Sequence, residues 1–180
     1  IDSLTIHEPA GPGIAGEIRK LIKNGELARD PVTNLLLFTA SRHETNLLGQ
    51  QAIKAGKWLL KARDWSSTEA YQGQGEGVDP EFIEKITRMF TDDSYMAPDL
   101  KVILAVTDDV RAERIANRGD LEQPDTFEKR GDDFQTRVNQ AYLEIAKRDN
   151  LPVIDASKSI QQIHEAIMDE IVKRGLLPSR

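Results

Sequence analysis

Two kinds of apolar pattern alternate along the chain. Ile14, Ile18, Leu21 and Ile22 recur at helical spacing, and Asn24-Gly25 stops the run. Pro31 opens a longer helix whose apolar positions are Leu35, Leu36, Phe38, Leu47, Leu48 and Ile53, closed by Ala55-Gly56-Lys57. Asp79-Pro80 is a cap followed by proline at the first helical position, which predicts a helix to about Phe90. Asp108-Asp109 opens a helix to Arg118, Phe127 to Arg148 reads as another, and Ser157 caps a last one to about Lys173. The strand-like runs lie between them: Ser3 to His7, Trp58 to Leu60, Leu100 to Val106, and Val153-Ile154. Leu100 to Val106 is almost continuously apolar, as in a strand covered on both faces of a parallel sheet. Strands alternating with helices predict an α/β fold with a mainly parallel sheet flanked by helices. Arg63 to Thr68 reads as a polar loop, and 119–126, which carries Pro124, as a mobile one.

Composition narrows the class. The 180 residues fit one domain spanning 1–180. With 39% hydrophobic and 30% charged residues, the chain reads as an ordinary globular protein. The formal charge of −6 argues against a nucleic-acid partner, since affinity for nucleic acid rests on Lys and Arg neutralising phosphates. A small anionic ligand is still open to it, because a pocket can be basic on an acidic protein. No apolar run approaches a membrane span, so no membrane partner is expected. The chain has no cysteine, which is compatible with a reducing compartment. It starts without Met or a signal pattern and reads as a strand entered part-way.

Ligands of open parallel sheets lie beyond the carboxyl ends of the strands, which directs attention to Glu8, Arg63, Asp108 and Asp155. Asp108 reads as a cap. Arg63 does not, because a cation directly after a buried strand is not needed to end it. Phe38 and Arg42 stand four residues apart on one helix face, a spacing that can set a ring under a planar ligand and a guanidinium at its edge. Phe38 taken alone is more often core. Arg114 and Arg118 repeat that spacing before the polar loop and can grip a polyphosphate beneath a closing loop, though alone such a pair is more often a solvated face. Gly73-Gln74-Gly75-Glu76-Gly77 is not a phosphate cradle: it follows a helical segment, and Glu76 would repel phosphate. His7, His43 and His164 lack metal-ligand spacing.

Three segments resemble thymidylate kinases. His7-Glu8-Pro9-Ala10-Gly11 is similar to the family's Arg-Glu-Pro-Gly-Gly, with Ile18-Arg19 where it has Ile-Arg. Leu37-Phe38-Thr39-Ala40-Ser41-Arg42 resembles Leu-Phe-Ala-Ala-Asp/Ser-Arg. Arg63 followed by Ser67-Thr68-Glu69-Ala70-Tyr71-Gln72-Gly73 resembles Asp-Arg-Tyr followed by Ser-Ser-x-Ala-Tyr-Gln-Gly. Pro98-Asp99-Leu100, Glu113-Arg114-Ile115 with Arg118, and Ile154-Asp155-Ala156 fall at matching places further on.

The resemblance implies a three-layer P-loop-kinase-like fold, with a lid at about 119–127, that moves a phosphoryl group from ATP to dTMP with Mg²⁺. Phe38 would stack on thymine, and Arg42 and Gln72 would bond its edge. Tyr71 would close the sugar side, and Thr68 would belong to the same substrate set. Arg19 and Arg63 would hold the dTMP phosphate. Arg114 would sit against adenine, Arg118 near the transferred phosphate, and Glu8 near the metal or its waters. A homodimer through the helix from Pro31 to Ala55 and a cytoplasmic location are also implied.

The chain departs from the family in three places. The family's first strand and phosphate loop have no match here, which implies weak ATP binding by this chain alone. The Asp before the second-strand Arg is Ala62, and Asp-Arg-Phe-Glu in the lid is Asp125-Thr126-Phe127-Glu128. Those changes leave open a non-catalytic relative that binds a nucleotide or a partner.

Overall fold

The computed structural model describes residues 1–117, 127 and 130–177. Position 118 and nearly all of the expected lid therefore lie outside the described residues. The chain parts into two compact units, Ile1–Ala97 with the described residues of Pro124–Val138, and the remainder.

In the first unit, β1 (Ser3–His7) and β2 (Trp58–Ala62) pair in parallel, with Ser3 opposite Trp58 and His7 opposite Ala62. The chain between them forms α1 (Ile14–Lys23) and α2 (Pro31–Lys54). Asp30 caps α2 by accepting from the Val32 and Thr33 amides, and Pro31 stands at the first helical position, where it has no amide to leave unpaired. After β2 the segment expected to be loop is instead a short helix, α3 (Trp65–Thr68). Asp64 starts it by accepting from the Ser66 amide, a cap hidden in the sequence by the polar run around it. It leads into a π-helical stretch, Glu69–Gly75, then α4 (Pro80–Phe90) behind its Asp79 cap, and α5 (Asp93–Met96) behind Asp92. The core of this unit is Leu35, Trp65, Val78, Ile83, Ile86 and Tyr95, with Met96 against it. It therefore ties α2, α3, α4 and α5 together.

The face that α2 buries is mainly polar. Asn34, Thr39, Ser41, Arg42, Thr45 and Asn46 are inside with Leu35 and Ala52, while Leu36, Leu47 and Ile53 are exposed. This departs from the usual rule that a helix buries its apolar stripe.

In the second unit β3 (Ile103–Ala105) pairs in parallel with β4 (Val153–Asp155). Its helices are α6 (Asp108–Ala116), the part of α7 (Gly131–Arg148) beyond Val138, and α8 (Ile160–Lys173). β3 is shorter than Leu100 to Val106, and Leu104 is exposed, so the strand is not covered on both faces as its apolar run predicts. The last helix starts at Ser159, whose hydroxyl forms a capping box with Gln162, two residues later than predicted. Ser157 instead bonds back to Asp155. No described helix is long and apolar enough to cross a membrane.

Leu35 is fully buried where α2 meets the core. Leu35→Ala is expected to cost about 3 kcal/mol of stability, by loss of transfer energy plus a cavity, read as a shift of the urea unfolding midpoint at unchanged slope.

Candidate active site

Arg42, predicted to read the edge of a planar ligand, is drawn to the end of β1. Glu8 follows the strand and is almost fully buried. Its Oε2 accepts from Arg42 Nε at 3.0 Å, and its Oε1 from Lys61 Nζ at 2.7 Å. The Tyr95 hydroxyl lies 3.0 and 3.1 Å from the two oxygens. Arg42, only 2% exposed, also donates from Nε to the Tyr95 oxygen at 2.7 Å and from Nη2 to Thr68 Oγ1 at 2.8 Å. Its Nη1 is buried with no hydrogen-bond partner. Lys61 Nζ stands 3.9 Å above the Tyr95 ring.

Burial works against the charge on Arg42, yet the Tyr95 and Glu8 oxygens hold its pKa above the ordinary value. Burial lowers the pKa of Lys61, with Glu8 opposing. Burial also raises Tyr95 well above the usual phenol range, so it is a neutral hydroxyl that can accept from Arg42 while donating to Glu8.

A second set surrounds Phe38. Its ring is tilted against Phe127 at 5.8 Å. Tyr71 meets Phe127 edge-on at 5.6 Å and Phe134 at 6.1 Å, and the Arg63 guanidinium lies 5.7 Å above the Tyr71 ring. A Cβ at Gly75 would come within 2.9 Å of two Phe134 ring atoms, so glycine there makes room for the ring. Glu76, excluded above as part of a phosphate cradle, ties this region together. It accepts from Arg130 at 2.6 Å, Asn34 at 2.8 Å and Gln72 at 3.0 Å. Arg130 sits about equally close to Phe127 and Phe134, 5.2 and 5.1 Å from their centroids.

Arg63 and Arg19 form a third, more exposed group around His7. Burial lowers the His7 pKa, and the charges of Arg63 and Arg19 lower it further, which places both arginines within electrostatic reach of one imidazole. Arg63 also adopts a left-handed backbone, φ 70°, unusual for a side chain of its size.

Within this one unit the predicted residues fall into two bonded sets: Arg42 and Thr68 with Glu8, and Phe38, Arg63, Tyr71 and Gln72 through Phe127, Arg130 and Glu76. Asp108 and Asp155, flagged by their position after strands, bond to Asn139 and Ser157. Sequence reasoning named Arg130 only as one cation that could replace the lid arginine, and it missed Lys61, Tyr95 and Phe134. Of these only Lys61, a charge inside a strand, carried a signal.

Arg114 lies in the second unit. Its Nη2 donates to the Ala156 carbonyl at 2.7 Å, and it lines a cavity of about 410 Å³ with Val110, Glu113, Asn117 and Ser157. Arg118 lies outside the described residues.

Glu8 does not fit the metal role expected of it. Both oxygens are occupied, and an ion there would have to displace Lys61 or Tyr95. Among the described residues no three His, Cys, Asp or Glu side chains gather to hold an ion.

The chain has relatives elsewhere. A family model described as thymidylate kinase matches residues 1–167. The thymidylate kinase of Idiomarina loihiensis is 34% identical over 171 residues, spanning 93% of this chain and 80% of that protein. That of Kosmotoga olearia is 34% identical over 170 residues, spanning 93% and 79%. A crystal structure of thymidylate kinase from Ehrlichia chaffeensis superposes with a TM-score of 0.73 at 23% identity, covering 95% of this chain and 81% of that one, which shows a shared fold.

The lowered His7 pKa has a sign. Below about pH 6.5, the ordinary histidine value, the unfolded chain takes up more protons at this position than the fold does, so His7 contributes a loss of stability as pH falls through that range. An NMR titration is expected to put His7 below the ordinary value, and Arg63→Met to move it back up.

Proposed function

The chain belongs to the thymidylate kinase family, and we propose that it transfers the terminal phosphoryl group of ATP to dTMP, giving dTDP and ADP. The observation that carries this reading is the buried Arg42, held by three partners at two of its nitrogens and left with one unpaired amino group, on the helix that also presents Phe38. A buried N–H without a partner is costly, and a carbonyl at the edge of a planar base satisfies it. Thymine offers carbonyl acceptors and a ring N–H. Gln72 spends its amide nitrogen on Glu76, which leaves its carbonyl oxygen to accept that ring N–H. Phe38 stacks on the base, Thr68 sits beside Arg42, and Tyr71 closes the sugar side. Arg19 and Arg63 hold the dTMP phosphate, with His7 beside them.

Phosphoryl transfer needs mainly positioning and charge neutralisation, and these residues supply both for the acceptor. For ATP, Arg114 and the cavity beside it are the candidate adenine end, and Arg118 the cation near the transferred phosphate. The family implies Mg²⁺ with ATP. Glu8 does not offer it a free oxygen and is assigned instead as the counter-ion of Arg42. We place the reaction in the cytoplasm, without a nucleic-acid partner.

We also propose a homodimer through α2. Val32, Leu36 and Leu47 fall on one side of that helix by their spacing and are exposed, while its polar face is turned inward. Leu36→Glu with Leu47→Glu is expected to shift the chain to monomer in sedimentation equilibrium. Unchanged mass would remove α2 as the interface.

Calorimetric titration of dTMP, dUMP, dGMP and AMP tests the substrate. dTMP is expected to bind best, dUMP to trail by the ~1–3 kcal/mol a methyl contributes, and the purines to be rejected more strongly. Arg42→Ala should weaken dTMP by about tenfold or more, the value of a charge-assisted hydrogen bond. Equal affinity for all four nucleotides would overturn the reading.

A further inference from the structure

Arg42 alone does not explain why three other polar groups are buried around it. Its Nε is shared between Glu8 and Tyr95, and Nη2 is fixed by Thr68. These contacts hold two of the three nitrogens of one planar group, so they set its rotation as well as its position. The Tyr95 hydroxyl is the bridge: it accepts from Arg42 at 2.7 Å and donates toward both Glu8 oxygens. Its ring belongs to the apolar core with Leu35, Trp65, Val78, Ile83 and Ile86, which leaves it little freedom to move. Lys61 holds the same assembly from the strand side, bonded to Glu8 and placed over the Tyr95 ring.

We infer that Tyr95, braced by Lys61, is a positioning residue for substrate recognition: it orients the Arg42 guanidinium so that Nη1 is free for a carbonyl of the base. The inference rests on the reading of Arg42 as the base-edge residue. Neither Tyr95 nor Lys61 touches the ligand in this arrangement; both act through Arg42 and Glu8. A group that pre-orients a binding side chain lowers the ordering cost of each binding event. The effect is confined to the half of the ligand that Arg42 reads, which separates it from a general role in folding.

The test is a set of titrations with Tyr95→Phe, which keeps the ring in the core and removes only the bridge. dTMP and thymidine are expected to bind about tenfold more weakly, while deoxyribose 5-phosphate, which has the sugar and phosphate but no base, binds as before. In an Arg42→Ala background, Tyr95→Phe is expected to add no further loss, because its effect passes through Arg42. Lys61→Met is the second variant, for use if Tyr95→Phe does not unfold cooperatively. It should weaken dTMP by about threefold and again spare deoxyribose 5-phosphate. The inference is overturned by an equal loss for all three ligands, by losses that add in the double variant, or by unchanged dTMP affinity in both variants. A wild-type chain that binds dTMP no better than dGMP sinks the underlying assignment as well, and the two failures are told apart by that control.

Discussion

One buried carboxylate organises the first unit. Glu8 has left water at the end of β1, a transfer that costs several kcal/mol per ion after relaxation unless partners are supplied. Those partners come from three different elements: Arg42 from α2, Lys61 from β2 and Tyr95 from α5. Each is itself a group that burial would penalise alone. The cluster is therefore stable only when complete, and completeness requires that four segments far apart in sequence meet at one point. An ion pair of this kind adds little net stability over a well-packed apolar cluster. What it contributes is a unique arrangement, in which a guanidinium is held rigid in the interior with one amino group still unspent.

The inside-out character of α2 follows from the same requirement. With Arg42 turned in to Glu8, α2 also carries Thr39 and Thr45 inward and leaves apolar side chains such as Leu36 and Leu47 outside. Within the unit, the core that would normally lie beneath such a helix is supplied instead by α3, α4 and α5, with Leu35 as the contribution of α2. Glu76 plays a lesser version of the Glu8 role beside the aromatic group, collecting Arg130, Asn34 and Gln72.

Part of the fold and of the candidate site is legible in the sequence. The Phe38–Arg42 spacing, Arg63 after its strand, and the run from Thr68 to Gln72 are local patterns, and local patterns survive in sequence. The long helices and their Asp-Pro starts at Asp30 and Asp79 were readable for the same reason. What could not be read were relations between distant segments. Tyr95 sits in a four-residue helix too short to show periodicity, and nothing around it signals that its hydroxyl faces a carboxylate 87 positions away. Glu8 was legible as a charge after a strand, but which atoms would claim its oxygens was a question of tertiary packing. The buried face of α2 was misleading for a physical reason: apolar spacing identifies the core side only when the helix borders the core alone.

Arg63 carries a different lesson. Its left-handed backbone is a conformation that glycine or asparagine adopts at lower cost, so an arginine there sits at a position where the chain would fold more easily with something else. If Arg63 grips the phosphate as proposed, the turn after β2 carries that role at a cost in backbone strain, and replacing Arg63 with glycine should relieve the strain while removing the guanidinium.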